Sequence, residues 1–373
     1  MFAKLTLPLL SAFTVYAIWN YGEANGLLAL SKESMMRQTL PGSDAALRTV
    51  YTGVPQLDEL LTTLTTFFWP TTDGSHPALT LHTLGFAGTF GSAWILIALE
   101  SWRHGNAWTI AAFPLVFGLS AQILTFAFAA PLYCALQLFF SPTASSPTPS
   151  TILVPRTILH ALPLVFTLSF TLPSILMVLP TPNTDLKQIF IALWQPFPAY
   201  ISLLLTLLHP VISPLVRPDP TGRKDRRALR FLYAFTFANT AIPHIVSWTV
   251  SLAAVLAPGI LAKEARAQLH PAVVFGIPLP WAVPVVRVES VAEGVHAFLR
   301  WDYLIGSAAM VVWAGALYGV AQRRVFGCVG WAGLVVKVLL LSLVAGPVGA
   351  AVELVWERDE MVGGEMGGAK KTN

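Results

Sequence analysis

The chain has 373 residues, of which 55% are apolar and only 11% charged, against roughly 25% charged in an ordinary soluble domain. A water-soluble protein of this size would lack the polar surface it needs. The formal net charge of +4 is too modest to indicate a nucleic-acid partner, and two distant cysteines, Cys134 and Cys328, make neither a disulfide nor a metal framework.

The first apolar run, Leu5 to Trp19, follows a lone Lys4 and resembles a signal peptide, but no convincing small-residue cleavage site follows it. It is read as a retained first span. Further spans are expected near 78–100, 107–138, 153–180, 188–212, 230–257, 301–321 and 331–356. A ninth piece, Val54 to Pro70, is short for a crossing and carries Asp58 and Glu59. It reads as re-entrant, interfacial or a tilted span. Continuous apolar runs exclude a barrel, whose strands alternate over about ten residues. The expected fold is therefore all-α, a polytopic transmembrane helical bundle of about eight spans. Pro114, Pro131, Pro163, Pro173, Pro196, Pro198 and Pro243 fall inside spans and would kink them, leaving room for a cavity.

Ser141 to Thr151 is an uncharged Ser/Thr/Pro connector, whereas Arg217 to Arg230 carries six basic residues. The positive-inside rule places that basic loop in the cytosol, the 258–299 loop on the other side, and Arg323 with Arg324 in the cytosol again. Counting back through the expected spans puts the turn at Arg103 on the non-cytosolic side. Residues 1–356 read as one membrane domain and 357–373 as a disordered tail.

Ionisable groups inside a bilayer are costly and mark functional candidates. Asp58, Glu59, Glu100, Asp302 and Glu353 are the carboxylates concerned, with Glu100, Asp302 and Glu353 expected at one depth, joined by Asp58 if Val54 to Pro70 crosses. Carboxyl groups gathered around an apolar cavity raise one another's pKa, and desolvation adds to the shift, leaving a neutral proton donor. Each of them reads equally as a marker of a span end in the wet interface. His244, one turn from Thr240, is more simply a packing histidine bonding a carbonyl freed by a proline kink. Lys337 is expected to snorkel. The rings that could wall a pocket and stabilise a cation are Phe67, Phe68, Trp69, Phe86, Phe90, Trp94, Trp194, Phe197, Tyr200, Tyr233, Phe237, Trp248, Trp313 and Tyr318. For any single ring, lipid-facing bulk or an interfacial belt is the plainer account.

No DDxxD-like cluster is present to hold magnesium and a diphosphate, and no GxxxxGK[ST], HExxH or GxSxG string occurs. No metal or other cofactor is implied.

Several strings resemble the membrane-integral terpene cyclases of fungal meroterpenoid and indole-diterpene pathways. They are Tyr51-Thr52-Gly53 with Pro55 and Asp58, Phe67-Phe68-Trp69-Pro70, Glu100 through Asn106, Pro131-Leu132-Tyr133-Cys134, Trp194-Gln195-Pro196-Phe197-Pro198, and Trp301-Asp302-Tyr303. The resemblance implies closure of rings on a prenyl chain attached to a polyketide or indole, by protonation of a terminal epoxide or alkene. It also implies residence in the endoplasmic reticulum membrane, beside pathway enzymes such as an epoxidase and a prenyltransferase. The catalytic candidates are Glu100, Asp302 and Asp58. The substrate-binding candidates are Trp69, Trp94, Trp194, Gln195, Phe197, Asn239, His244 and Trp248. The rival reading is a transporter or export accessory for a lipophilic metabolite, in which the same acids relay protons.

Overall fold

The computed structural model describes residues 2–216 and 222–369, of which 365–369 only as backbone. Arg217 and residues 370–373 lie outside them. The described residues are helical throughout apart from loops, one of which holds an isolated bridge between Thr39 and Ala46. The principal helices are α1 (Phe2–Ala24), α2 (Leu27–Arg37), α3 (Pro55–Thr72), α4 (Pro77–Ser101), α5 (Pro114–Leu124) and α6 (Phe126–Phe140). After them come α7 (Arg156–Val178), α8 (Thr184–Trp194), α9 (Phe197–Leu215), α10 (Arg223–Leu256), α11 (Val291–Phe326) and α12 (Trp331–Ala369).

Seven of these, α1, α4, α7, α9, α10, α11 and α12, are long and apolar enough to cross a bilayer. α3 is not among them. The first six of the seven run from one end of the bundle to the other. Lys4, Arg156, the start of α10 and Arg324 lie at one end, called here the basic end. It is held together by the Arg156–Asp225 pair, a bond from Arg324 Nη1 to Pro147 O at 2.7 Å, and Lys4 above the Phe139 ring at 4.9 Å.

The 107–138 stretch, expected as one span, instead enters from the basic end and turns back. α5 and α6 meet at Thr125, whose φ of 97° no helix permits. Phe117 lies on Tyr133 at 5.2 Å between ring centroids, as antiparallel neighbours should. At 1.5 Å per residue the two arms reach roughly 16 and 22 Å, short of a hydrocarbon core of about 30 Å. Backbone groups freed at this depth find partners in protein: Thr14 donates to Ala127 O at 2.9 Å and Ser11 to Phe128 O at 2.8 Å.

α12 folds back in the same way. Gly346 sits at φ 77° beside Pro347, and Lys337 Nζ reaches Glu357 at 2.6 Å. In a straight helix those residues would be about 30 Å apart. Lys337 therefore pairs rather than snorkels. Pro347 cannot bond Leu343 O, and His244 Nε2 lies 3.2 Å from that carbonyl while Thr240 donates to Ala345 O at 3.3 Å. Among the described residues the bundle thus has six through-going helices and two helical hairpins.

Because 107–138 makes no crossing, the sidedness inferred for Arg103 reverses. Arg103 Nη1 donates to Ile152 O at 2.6 Å and His104 N–H to Leu153 O at 2.9 Å, at the basic end. The helix also continues past Glu357, so Arg358 and Asp359, expected in a disordered tail, are buried.

Candidate functional site

A cavity of about 910 Å³ occupies the half of the bundle away from the basic end, between α3, α4, the α5–α6 turn, α7, α10 and α11. Its rings are Trp19 from α1, Phe67 and Phe68 from α3, Phe86 and Phe90 from α4, Phe126, Phe170, Trp194 and Phe298. Phe86 and Phe90, one turn apart on α4, stack at 5.9 Å with an interplanar angle of 5°. Phe126 leans on Phe90 at 5.1 Å. Leu84, Ile123, Ile175 and Val178 also line the cavity, yet are 43%, 49%, 48% and 51% exposed on the outer surface. The wall is therefore open sideways, at apolar helix faces.

Among the described residues, Asp302 is the one carboxylate on the lining. α11 begins at Val291, well before the span expected from residue 301, so Asp302 lies three turns inside the helix rather than at its end. Its Oδ1 accepts the Ala127 N–H at 2.6 Å, and the Phe126 N–H and the Thr125 hydroxyl also turn toward the carboxyl. Asp302 thus sits on the first turn of α6, where free N–H groups and the helix dipole favour negative charge. No ion pair reaches it among the described residues.

Glu100 is elsewhere. It lies fourteen residues beyond Phe86 on α4, about 21 Å further along the axis, inside a closed ion cluster at the basic end. Its Oε1 accepts from Arg103 Nε and Arg358 Nη2, both at 2.6 Å. Asp359 accepts from Arg103 Nη2 at 2.8 Å, from Tyr233 at 2.6 Å and from Arg358 Nε at 2.8 Å. The expected convergence of Glu100, Asp302 and Glu353 at one depth does not occur.

Asp58 ties the 51–53 loop to the start of α3. Burial works to raise its carboxyl, but the N–H groups of Thr52, Tyr51 and Gly53 and the Thr52 hydroxyl, at 2.7 to 3.1 Å, hold it below the ordinary carboxylate value. A depressed carboxyl stabilises the folded protein above its unfolded value and loses that contribution as pH falls through the folded one. Asp58→Ala should destabilise the protein, because it leaves the Tyr51, Thr52 and Gly53 N–H groups without their acceptor. Thermal unfolding in detergent will show it as a lowered midpoint at neutral pH that converges on wild type in strong acid.

Of the expected binding residues, Trp194 and Asn239 line the cavity. Phe197 stands one layer behind, edge-on to Phe90 at 5.5 Å and Phe170 at 4.8 Å. Trp94 packs on Phe197 and over Gly118, where a Cβ would come within 2.3 Å of the indole. Trp69 faces Lys187, whose Nζ is 6.0 Å from its ring. Gln195 bonds its own helix at Ile191 O. His244 serves the α12 kink, and Trp248 stacks on Phe275 at 4.2 Å. Trp19, Phe126, Phe170 and Phe298 line the cavity outside the set of rings expected from the sequence. The signal available for Phe126 was length: the 32 residues of 107–138 would span about 48 Å as one helix. Among the described residues no three His, Cys, Asp or Glu side chains gather as a metal would require.

A family model described as CtvD domain matches residues 3–363. The chain is 34% identical over 361 residues to terpene cyclase ctvD of Aspergillus terreus, covering 94% of this chain and 97% of that protein. It is 30% identical over 369 residues to terpene cyclase ascI of Acremonium egyptiacum (96% and 92% covered), and 28% over 363 residues to terpene cyclase atmA of Aspergillus flavus (95% of each). No solved structure matches.

Proposed function

Because the chain belongs to the CtvD domain family and is a terpene cyclase, we propose that it closes rings on a lipophilic, epoxidised prenyl chain, with Asp302 as the general acid. The observation that carries this reading is the placement of one unpaired carboxyl in a ring-walled cavity. With no cation beside it, a carboxyl buried among apolar groups is less costly as the neutral acid than as the ion, even with the α6 N–H groups aimed at it. Asp302 gives its proton to the epoxide oxygen, the C–O bond opens toward the more substituted carbon, and a chain alkene supplies the electron pair for the new C–C bond. A C–H proton passes last to the Asp302 carboxylate, directly or through water, so the acid is restored and the product is an isomer of the substrate. Donation leaves a carboxylate on the first turn of α6, whose N–H groups are already aimed at it. The rings of Phe86, Phe90 and Phe126 face the cation as it moves.

A substrate that partitions into lipid suits the sideways opening, and the endoplasmic reticulum membrane, with an epoxidase and a prenyltransferase nearby, is the setting we infer. Expressed in a host lacking such pathways and supplied with an epoxidised prenyl-aromatic, the protein should yield a ring-closed product of unchanged mass. Unaltered substrate alongside protein in the membrane would overturn the proposal. Phe90→Leu keeps the volume and removes the ring face, so cyclisation per molecule of protein should fall about 2- to 30-fold, the equivalent of roughly 0.5 to 2 kcal/mol. An unchanged rate in quantified membranes would remove Phe90 from the mechanism.

A further inference from the structure

We propose that Asn239 is a specificity-determining residue: its side-chain oxygen, locked to face the cavity, fixes where positive charge rests and so decides which ring-closed product leaves. This rests on the cyclase reading above and adds to it a group on the opposite flank of α4 from Asp302.

The orientation of the amide is settled by its partners. Asn239 Nδ2 donates to Gly88 O at 3.2 Å and to Ser92 Oγ at 2.9 Å. Gly88 O can only accept. Ser92 spends its own hydrogen on Thr236 O at 2.9 Å, which leaves only lone pairs for Asn239. Both acceptors therefore demand the nitrogen, and the reversed amide would set oxygen against oxygen. Both amide hydrogens are used, no hydrogen bond reaches Oδ1 among the described residues, and Asn239 lines the cavity.

The close approach of α4 to α10 makes this possible. A Cβ at Gly88 would lie 2.6 Å from Asn239 O, and one at Gly91 would lie 2.9 Å from Phe170 and 3.2 Å from Asn239 Nδ2. Side chains there would push α10 away and break the lock. The same contacts set the amide beside the Phe170 ring. The cavity therefore holds an acid on one flank of the Phe86–Phe90 face and a fixed, uncharged, acceptor-only dipole on the other. A preorganised dipole that need not reorient stabilises the nearest cation most. Among successive cations it selects one.

The test is the product pattern of Asn239→Leu and Ser92→Ala, each against wild type, on one epoxidised prenyl-aromatic. Asn239→Leu should change the ratio among alkene isomers and water-captured alcohols about tenfold, whatever its effect on the rate of substrate consumption. Ser92→Ala frees one amide hydrogen without altering the lining, and should shift the ratio the same way by less. If the leucine variant fails to accumulate, Ser92→Ala decides alone. A lower yield with wild-type ratios would mean that Asn239 only holds α4 to α10, and would overturn the proposal. Failure of wild type to cyclise would instead strike the parent reading.

Discussion

Asp302→Asn should abolish ring closure while the protein remains in the membrane. Asparagine keeps the shape and still offers Oδ1 to the Ala127 N–H at the head of α6. What it removes is the transferable proton. General acid catalysis contributes typically 10²- to 10⁴-fold, so product formation should fall by about a thousandfold, with abundance and melting behaviour close to wild type. Asp302→Glu keeps the proton but pushes it one methylene further into the cavity, and should retain part of the activity with an altered product pattern. Cyclisation by Asp302→Asn at wild-type rate would dismiss Asp302 as the donor.

Glu100→Gln should fail differently. Glu100, Arg103, Arg358 and Asp359 form a buried network of two positive and two negative charges that ties α4, α10, α12 and the 141–152 segment together. Neutralising one member leaves a net positive charge with no water to receive it, and breaking such a network costs about 3 to 5 kcal/mol. The expected result is poor accumulation and a sharply lowered melting point, whereas the molecules that do fold give the wild-type products. Adding Arg358→Gln restores charge balance and should recover part of the loss. A well-folded Glu100→Gln protein lacking activity would reverse this assignment and return Glu100 to the chemistry.

Helical character and membrane-span length were legible in the sequence because both follow from long apolar runs. The two hairpins were not, because average hydropathy does not distinguish a crossing from a return. Each had a local mark: 107–138 was too long for one span, and Gly346-Pro347 interrupts the last one. Missing the first turn reversed the parity of everything before it, which carried Glu100 to the wrong end and made a carboxylate cluster look plausible. Asp302 was legible as a rare carboxylate in an apolar run. Its partner was not, since Ala127 contributes only a backbone N–H. The rings divided for a similar reason: Trp94 and Phe197 belong to the same aromatic mass as Phe90, and only side-chain direction separates wall from backing.

The sideways opening at Leu84, Ile123, Ile175 and Val178 alters what concentration means for this protein. If the substrate arrives through the acyl-chain region, the relevant measure is its mole fraction among lipids rather than its molarity in the vessel. Added inert bilayer would then dilute it as surely as added buffer dilutes a water-soluble metabolite. Saturation would depend on how crowded the surrounding leaflet is, and a product that departs by the same route competes for that leaflet until something downstream removes it.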